Sequence, residues 1–490
     1  MMRRLVVLAL AAWLVPWAAL AEPPASFGPT EPMAEAQGGF MGHMAAAPDH
    51  GAAGTRVTIT ADGLPPGREV DLVWRTVEGS WNVADGHYHG RIYKPIAYRI
   101  ASLTPDGSGH VSASFAAPDD FGFSHDVVLQ QGDRLLTQAA FSIDMQVKVS
   151  PAHASLGSPI SIDISGIGWR ELENSWMLLY DNRFTGWVSA VTTRGSAHVT
   201  IPAVGAPGTH VLALVHGEFT FPYLNPQQNP DPDRPRFSAT FTLTPGAPTL
   251  PPDPPRQALL HIKNLPPPGA LVTEPRFAGV GQAMVARATG LVPGRRYQLS
   301  WGSITGNRVT DGTWQENSRV VATAVADGGG AISFPFKVPD DLGGAHSLAV
   351  VDDAKTLSGK AWVATTALPL DVARGPAGTT FLVHLKGVGW TETANIYAVT
   401  YDNGYVGYAC GFNSQGDVQI FLKATGAPGW HFIDLYPAIY KGEEARPNNF
   451  RIPQLTYAAD HPGEDLPHFR FAFEVTDDAR GQRASLDPSR

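Results

Sequence analysis

The sequence predicts an all-β chain: four sandwich domains arranged as two tandem copies of a two-domain unit. Three observations predict it. Short alternating apolar–polar runs recur between Gly and Pro turns, no long stretch has helical periodicity, and the chain repeats itself at a constant offset. Charged residues make up only 17% of the 490, against 51 Gly and 42 Pro, a balance suited to short strands and many turns.

The repeat is read from matched motifs. Gly166-Ile167-Gly168-Trp169 corresponds to Gly387-Val388-Gly389-Trp390. Tyr180-Asp181-Asn182 corresponds to Tyr401-Asp402-Asn403, and Gly205-Ala206-Pro207-Gly208 to Gly426-Ala427-Pro428-Gly429, all at an offset of 221. Pro118-Asp119-Asp120 pairs with Pro339-Asp340-Asp341 at the same offset. Upstream, Trp74 pairs with Trp301 at an offset of 227, so the first copy carries six extra residues between Trp74 and Pro118. Each unit of about 100 residues closes on a His followed by an alternating strand: His125, His210, His346 and His431.

Each unit opens on a Gly-rich approach, a β-branched strand and a Gly turn, as in Gly157-Ser158-Pro159-Ile160-Ser161-Ile162 before Gly166-Ile167-Gly168-Trp169. This opening resembles bacterial immunoglobulin-like domains of the IPT/TIG kind. The third unit departs from it, with Gly279-Val280-Gly281-Gln282. The resemblance implies immunoglobulin-like sandwiches and leaves the function open, because that fold hosts many functions. The expected domains are 51–145, 146–245, 269–368 and 369–476, with a Pro-rich linker at 246–268. Residues 22–50 are expected to be a flexible lead, and 477–490 a frayed tail.

Residues 1–21 read as a cleaved secretory signal: Arg3 and Arg4, an apolar run from Leu5 to Leu14, and Ala19-Leu20-Ala21. No later stretch approaches the roughly 20 apolar residues of a spanning helix. The expected location is therefore periplasmic or extracellular. A formal charge of −9 argues against nucleic acid as a partner. The single Cys410 excludes an internal disulfide, and it reads as a small buried hydrophobe.

Several residue groups are candidate sites. The four repeated histidines fit the place of the tyrosine corner of a sandwich, where an aromatic side chain bonds nearby backbone. Tyr180-Asp181-Asn182 and Tyr401-Asp402-Asn403 read as turns, or as paired loops meeting a ligand with Trp187 or Tyr408 beside them as stacking faces. The insertion of the first copy is expected to form a long loop carrying Trp81, His87, Tyr88, His89 and Tyr93. Three readings of it stand open. His87 and His89 supply two metal ligands, with a third from His43, His50 or His110; the aromatic residues stack on a glycan or other ring; or the loop packs across a domain boundary. Asp231 and Asp233 offer oxygen ligands in a Pro-rich loop. In the second copy the matching insertion, with Asp460, His461 and His468, is longer. Tyr436, Tyr440 and Tyr457 make it aromatic and suited to packing on a neighbouring domain.

No nucleophile elbow, zinc-protease, phosphate-loop, dinucleotide or Cys-x-x-Cys motif occurs. The expected role is binding or scaffolding in the cell envelope, with a glycan or an envelope protein as partner and the cofactor undetermined. The rivals are a periplasmic metal-handling protein using the His-x-His segment, and a carbohydrate-active enzyme or its accessory module.

Overall fold

The computed structural model describes residues 27–28, 30–35, 39–218, 221–228, 235–254, 269–306, 314–352, 355–440 and 451–477. The expected signal segment 1–21, most of the expected linker, Asp231, Asp233 and the residues beyond 477 lie outside the described residues.

Alternation builds the strands. In Arg56–Asp62, Val57, Ile59 and Ala61 are fully buried while their neighbours face outward. The first sandwich is made of β1 (His43–Ala47), β2 (His50–Gly51), β3 (Arg56–Asp62), β4 (Val70–Ala84), β5 (His87–Leu103), β6 (Val111–Ala116), β7 (Phe123–Gln131) and β8 (Arg134–Ile143). Its sheets have the orders β1-β3-β6 and β2-β8-β7-β4-β5. The opening segment is split between them: β1 runs antiparallel to β3, and β2 parallel to β8.

The same plan recurs. The second sandwich uses β9 (Gln146–Ser150), β10 (His153–Ser155), β11 (Pro159–Ser165), β12 (Trp176–Tyr180), β13 (Arg183–Val188), β14 (Ala197–Pro202), β15 (Gly208–Glu218), β16 (Phe221–Pro222) and β17 (Phe237–Thr244). The third uses β18 (Val272–Glu274), β19 (Phe277–Gly279), β20 (Ala283–Ala288), β21 (Arg296–Thr305), β22 (Gln315–Val325), β23 (Ile332–Lys337), β24 (Gly344–Asp352) and β25 (Lys355–Ala364). The fourth uses β26 (Thr366–Ala367), β27 (Arg374–Pro376), β28 (Thr380–Lys386), β29 (Ile396–Tyr401), β30 (Gly404–Cys410), β31 (Val418–Lys423), β32 (Gly429–Ala438) and β33 (Phe469–Thr476). Each repeats the three-stranded sheet and the longer sheet whose edges are the split opening strand and the fifth strand of the hairpin. Both sheets of each sandwich feed one apolar cluster.

Two compact units result. One holds the described residues of 1–74, 97–119 and 125–143; the other holds 75–96, 120–124 and the rest from 144. The far part of the β4–β5 hairpin thus belongs to the second unit.

Two expectations are corrected. The lead was expected to be flexible through residue 50, yet His43–Ala47 is the opening strand and pairs along β3. Ahead of it Ala34 buries with Val73, Ala97, Val128 and Leu135 on the outer side of the longer sheet, because these side chains leave an apolar face to cover. The insertion expected as a loop continues the hairpin instead. Asp85 and Gly86, at φ 50° and 77°, make its two-residue turn, and left-handed pairs of this type match the twist of paired strands.

Trp301 tests the core. It is fully buried, stacks on His346 at 4.4 Å between ring centroids, and donates its indole N–H to Asp341 at 3.0 Å. Trp301→Ala is expected to cost about 3–5 kcal/mol in urea unfolding, and Ser300→Ala, on the opposite face of β21, within about 0.5 kcal/mol.

Candidate functional site

The Tyr-Asp-Asn repeats are hairpin turns with an attached clamp. Asp181 and Asn182 sit at φ 47° and 64°, and Asp402 and Asn403 at 47° and 59°. Asp181 Oδ2 faces His210 Nδ1 at 2.6 Å, and its Oδ1 accepts from Val211 N at 2.9 Å. Asp402 repeats this with His431 at 2.5 Å and Phe432 N at 3.0 Å. Tyr180 donates to the Val204 carbonyl at 2.6 Å, and Tyr401 to that of Thr425 at 2.9 Å. The carboxylate thus ties turn, histidine and the following strand together.

The histidines occupy the corner position. His210, His346 and His431 each bond through Nε2 the carbonyl four residues upstream, at Ala206, Leu342 and Ala427, all at 2.8 Å. His125 stacks on Trp74 at 4.6 Å. For His431 burial favours the neutral ring, but the Asp402 hydrogen bond and charge outweigh it and raise its pKa above the ordinary 6.5.

The repeated Gly-x-Gly-Trp segment is a joint. A Cβ on Gly122 would lie 1.7 Å from the Gly166 carbonyl oxygen, and one on Gly343 1.9 Å from that of Gly387. Only glycine permits this approach, in which Gly122 N donates to Ile167 O and Gly343 N to Val388 O, both at 3.0 Å. Trp169 then packs on Phe121 and Trp390 on Trp314.

The insertion and the closing segment 451–468 converge. Trp81, Tyr88 and Trp187 gather with Met177, Ile439 and Ile452 in one small apolar cluster. Trp81 lies 6.1 Å from Tyr88 and 6.0 Å from Trp187 between ring centroids. Asp460 accepts from Val191 N, Thr192 N and Thr192 Oγ1 at 2.8 Å each, and from Trp81 Nε1 at 3.2 Å. Gln454 and Thr456 bond Ser189. At the hairpin tip Glu392 accepts from Tyr88 N at 2.7 Å and faces His87 Nδ1 at 3.3 Å, while His87 stacks on Trp314.

These placements correct several expected ligand faces. Trp187, Tyr180 and Tyr88 are buried and have no face free to stack on a ring; burial pushes the Tyr88 phenol upward, and that of Tyr93 up to about 12. Asn403 is buried and its amide donates to the Pro202 carbonyl at 2.8 Å. Trp81 and Tyr93 are half-buried, the latter against Phe121. Asn182 and Tyr408 remain exposed, with Arg451 over the Tyr408 ring at 5.5 Å. His87 is half-exposed and engaged by Glu392; His89 is exposed. Among the described residues no three His, Cys, Asp or Glu side chains are placed to share an ion, and His110 faces Asp62 at 2.7 Å. Cys410 is exposed rather than buried, because β30 turns that side chain outward. The second-copy insertion packs on the second sandwich: Asp460 accepts from Val191 N and Thr192 N, and the Pro453 carbonyl from Trp187 N.

Sequence reasoning missed Glu392 and Asp460 as anchors, since lone carboxylates carry no pattern. It also passed over Asp85-Gly86, whose dipeptide is a strong hairpin signal.

The strand order, with an opening segment shared between two sheets, antiparallel in one and parallel to its neighbour in the other, is immunoglobulin-like. No known family matches the chain, and no curated protein does. Among solved structures, Salmonella alpha-2-macroglobulin reacted with methylamine is 11% identical, over 89% of this chain and 31% of that one, with a TM-score of 0.19. The ICAM-5 D1–D4 ectodomain fragment is 12% identical over 89% and 100%, at 0.18. Invasin, a bacterial integrin-binding protein, is 9% identical over 88% and 78%, at 0.18. This chain spans under a third of the macroglobulin. Among the described residues no helix is long and apolar enough to cross a membrane.

Two outcomes follow from the clamps. Asp460→Ala strands buried donors and is expected to cost about 2–4 kcal/mol in urea unfolding, with Asp460→Asn intermediate. Folded His431 holds its proton more tightly than the unfolded chain, so its contribution is complete below pH 6.5 and fades as pH rises through the folded value. The stability gap between wild type and His431→Gln, from urea midpoints, therefore narrows with rising pH.

Proposed function

We propose that this chain is an exported binding or scaffolding protein of the cell envelope, made of four immunoglobulin-like domains and presenting its loops and sheet edges to a glycan or an envelope protein. The observation that carries this reading is the fate of the marked residues. The repeated histidines, both Tyr-Asp-Asn turns and the aromatic insertion are engaged in bracing the fold. Rigid, braced sandwiches hold binding surfaces in fixed geometry without taking part in bond chemistry. The apolar leader supports export, and the acidic balance supports a partner other than nucleic acid.

The test is a binding screen of the untagged mature protein against glycans and envelope proteins, with elemental analysis alongside. Saturable binding without turnover is expected. One equivalent of a transition metal, lost in His87→Ala/His89→Ala, overturns the reading in favour of metal handling, and polysaccharide cleavage overturns it in favour of an enzyme.

A further inference from the structure

The longer sheet of each sandwich ends on the outer strand of its hairpin, and the molecule shows what such an edge takes up. In the first sandwich the edge of β5 is met by the lead segment: Thr30 bridges Tyr98 in antiparallel fashion, and Glu31 N donates to the Ala97 carbonyl at 2.9 Å. In the second the edge of β13 is met by the closing segment. Trp187 N donates to the Pro453 carbonyl at 2.8 Å, and Leu455 N to the Trp187 carbonyl at 2.9 Å. Each strap meets its edge at a single bridge and holds a proline beside it, Pro32 in one and Pro453 in the other.

The counterpart in the third sandwich is β22. It pairs with β21 on one side, and among the described residues no backbone group pairs with its other side. Its eleven residues contain no Pro and no Lys, its only charges are Glu316 and Arg319, and Gln315–Val320 are exposed throughout. Val320 and Val325 are each 51% exposed. A register shift at Leu299/Ser300 bulges the strand, but β13 has the same shift at Leu178/Leu179 and takes its strap just beyond it, at Trp187. The matching position on β22 is Thr323.

The outer sheet face behind β22 differs as well. Where the first sandwich has Val73, Ala97, Val128 and Leu135 under the lead segment, the third has Ser300, Ser318, Ala349 and Thr356. That face is polar enough to stay solvated, so no strap of the chain is needed to cross it toward the edge.

We propose that the free edge of β22 is a docking site for an extended, proline-containing segment of a partner polypeptide, which adds to the sheet as a further strand. Main-chain hydrogen bonds supply the affinity, and apolar side chains opposite Val320 and Val325 supply selectivity. This rests on the binding reading above and names one surface and partner class for it.

The probe is a fluorescent peptide with the sequence of Arg451–Ala458, the strap already seated on β13, titrated by anisotropy into the full chain. Saturable binding is expected, with β22 amides slowed in hydrogen exchange. Val320→Lys and Val325→Lys, each with an unchanged melting temperature, should weaken it by at least about tenfold, while Val351→Lys leaves it intact. The proposal falls if the peptide does not bind or if both β22 variants bind as well as wild type. It also falls if the β22 amides that do not bond β21 are already slow in the free chain, with sedimentation telling a second copy from the chain's own residues as the cover. A glycan or envelope protein that still binds the β22 variants would sink this site and leave the broader binding reading standing.

Discussion

The small cluster of Trp81, Tyr88, Met177, Trp187, Ile439 and Ile452 is the contact on which the second unit depends. It draws side chains from the hairpin of the first sandwich, the edge of the second, and the stretch that closes the fourth. Apolar burial alone is non-directional. Direction comes from the carboxylates around it: Asp460 collects four donors, and Glu392 fixes the hairpin tip through the Tyr88 amide. A buried carboxylate is costly unless its lone pairs are met, so these anchors select one arrangement of the segments.

The duplication is preserved most closely at the joints. Gly122 against Gly166 and Gly343 against Gly387 repeat to within 0.2 Å of the same approach, 1.7 and 1.9 Å for the absent Cβ. Each Asp–His clamp likewise recurs with the same atoms. The copies diverge on their surfaces, where the first buries an apolar outer sheet face under its own lead and the third replaces it with serine, alanine and threonine. Among the described residues one edge is bridged by the chain and its counterpart on β22 is not.

The fold class was legible in the sequence because its signals are local. Alternation, Gly turns and the repeat at 221 each reflect a strand period or a backbone conformation that neighbouring residues impose. The same holds for the histidine corner, whose partner lies four residues upstream, and for the Tyr-Asp-Asn turns. Asp85-Gly86 is equally local, a two-residue hairpin turn set by its own backbone conformation.

The fate of the insertion was decided by tertiary structure. Trp81, Tyr88 and Trp187 look the same in sequence whether they stack on a sugar or on one another, and the partners that settle it lie about 100 and more than 300 residues away. Cys410 turned outward because of which side of β30 faces the core, a parity set by the register with β29. The sequence by itself determined strands, turns and repeats, which depend on neighbours along the chain. Which edges are sealed and which aromatic groups are buried depended on long-range contacts that leave no periodic trace.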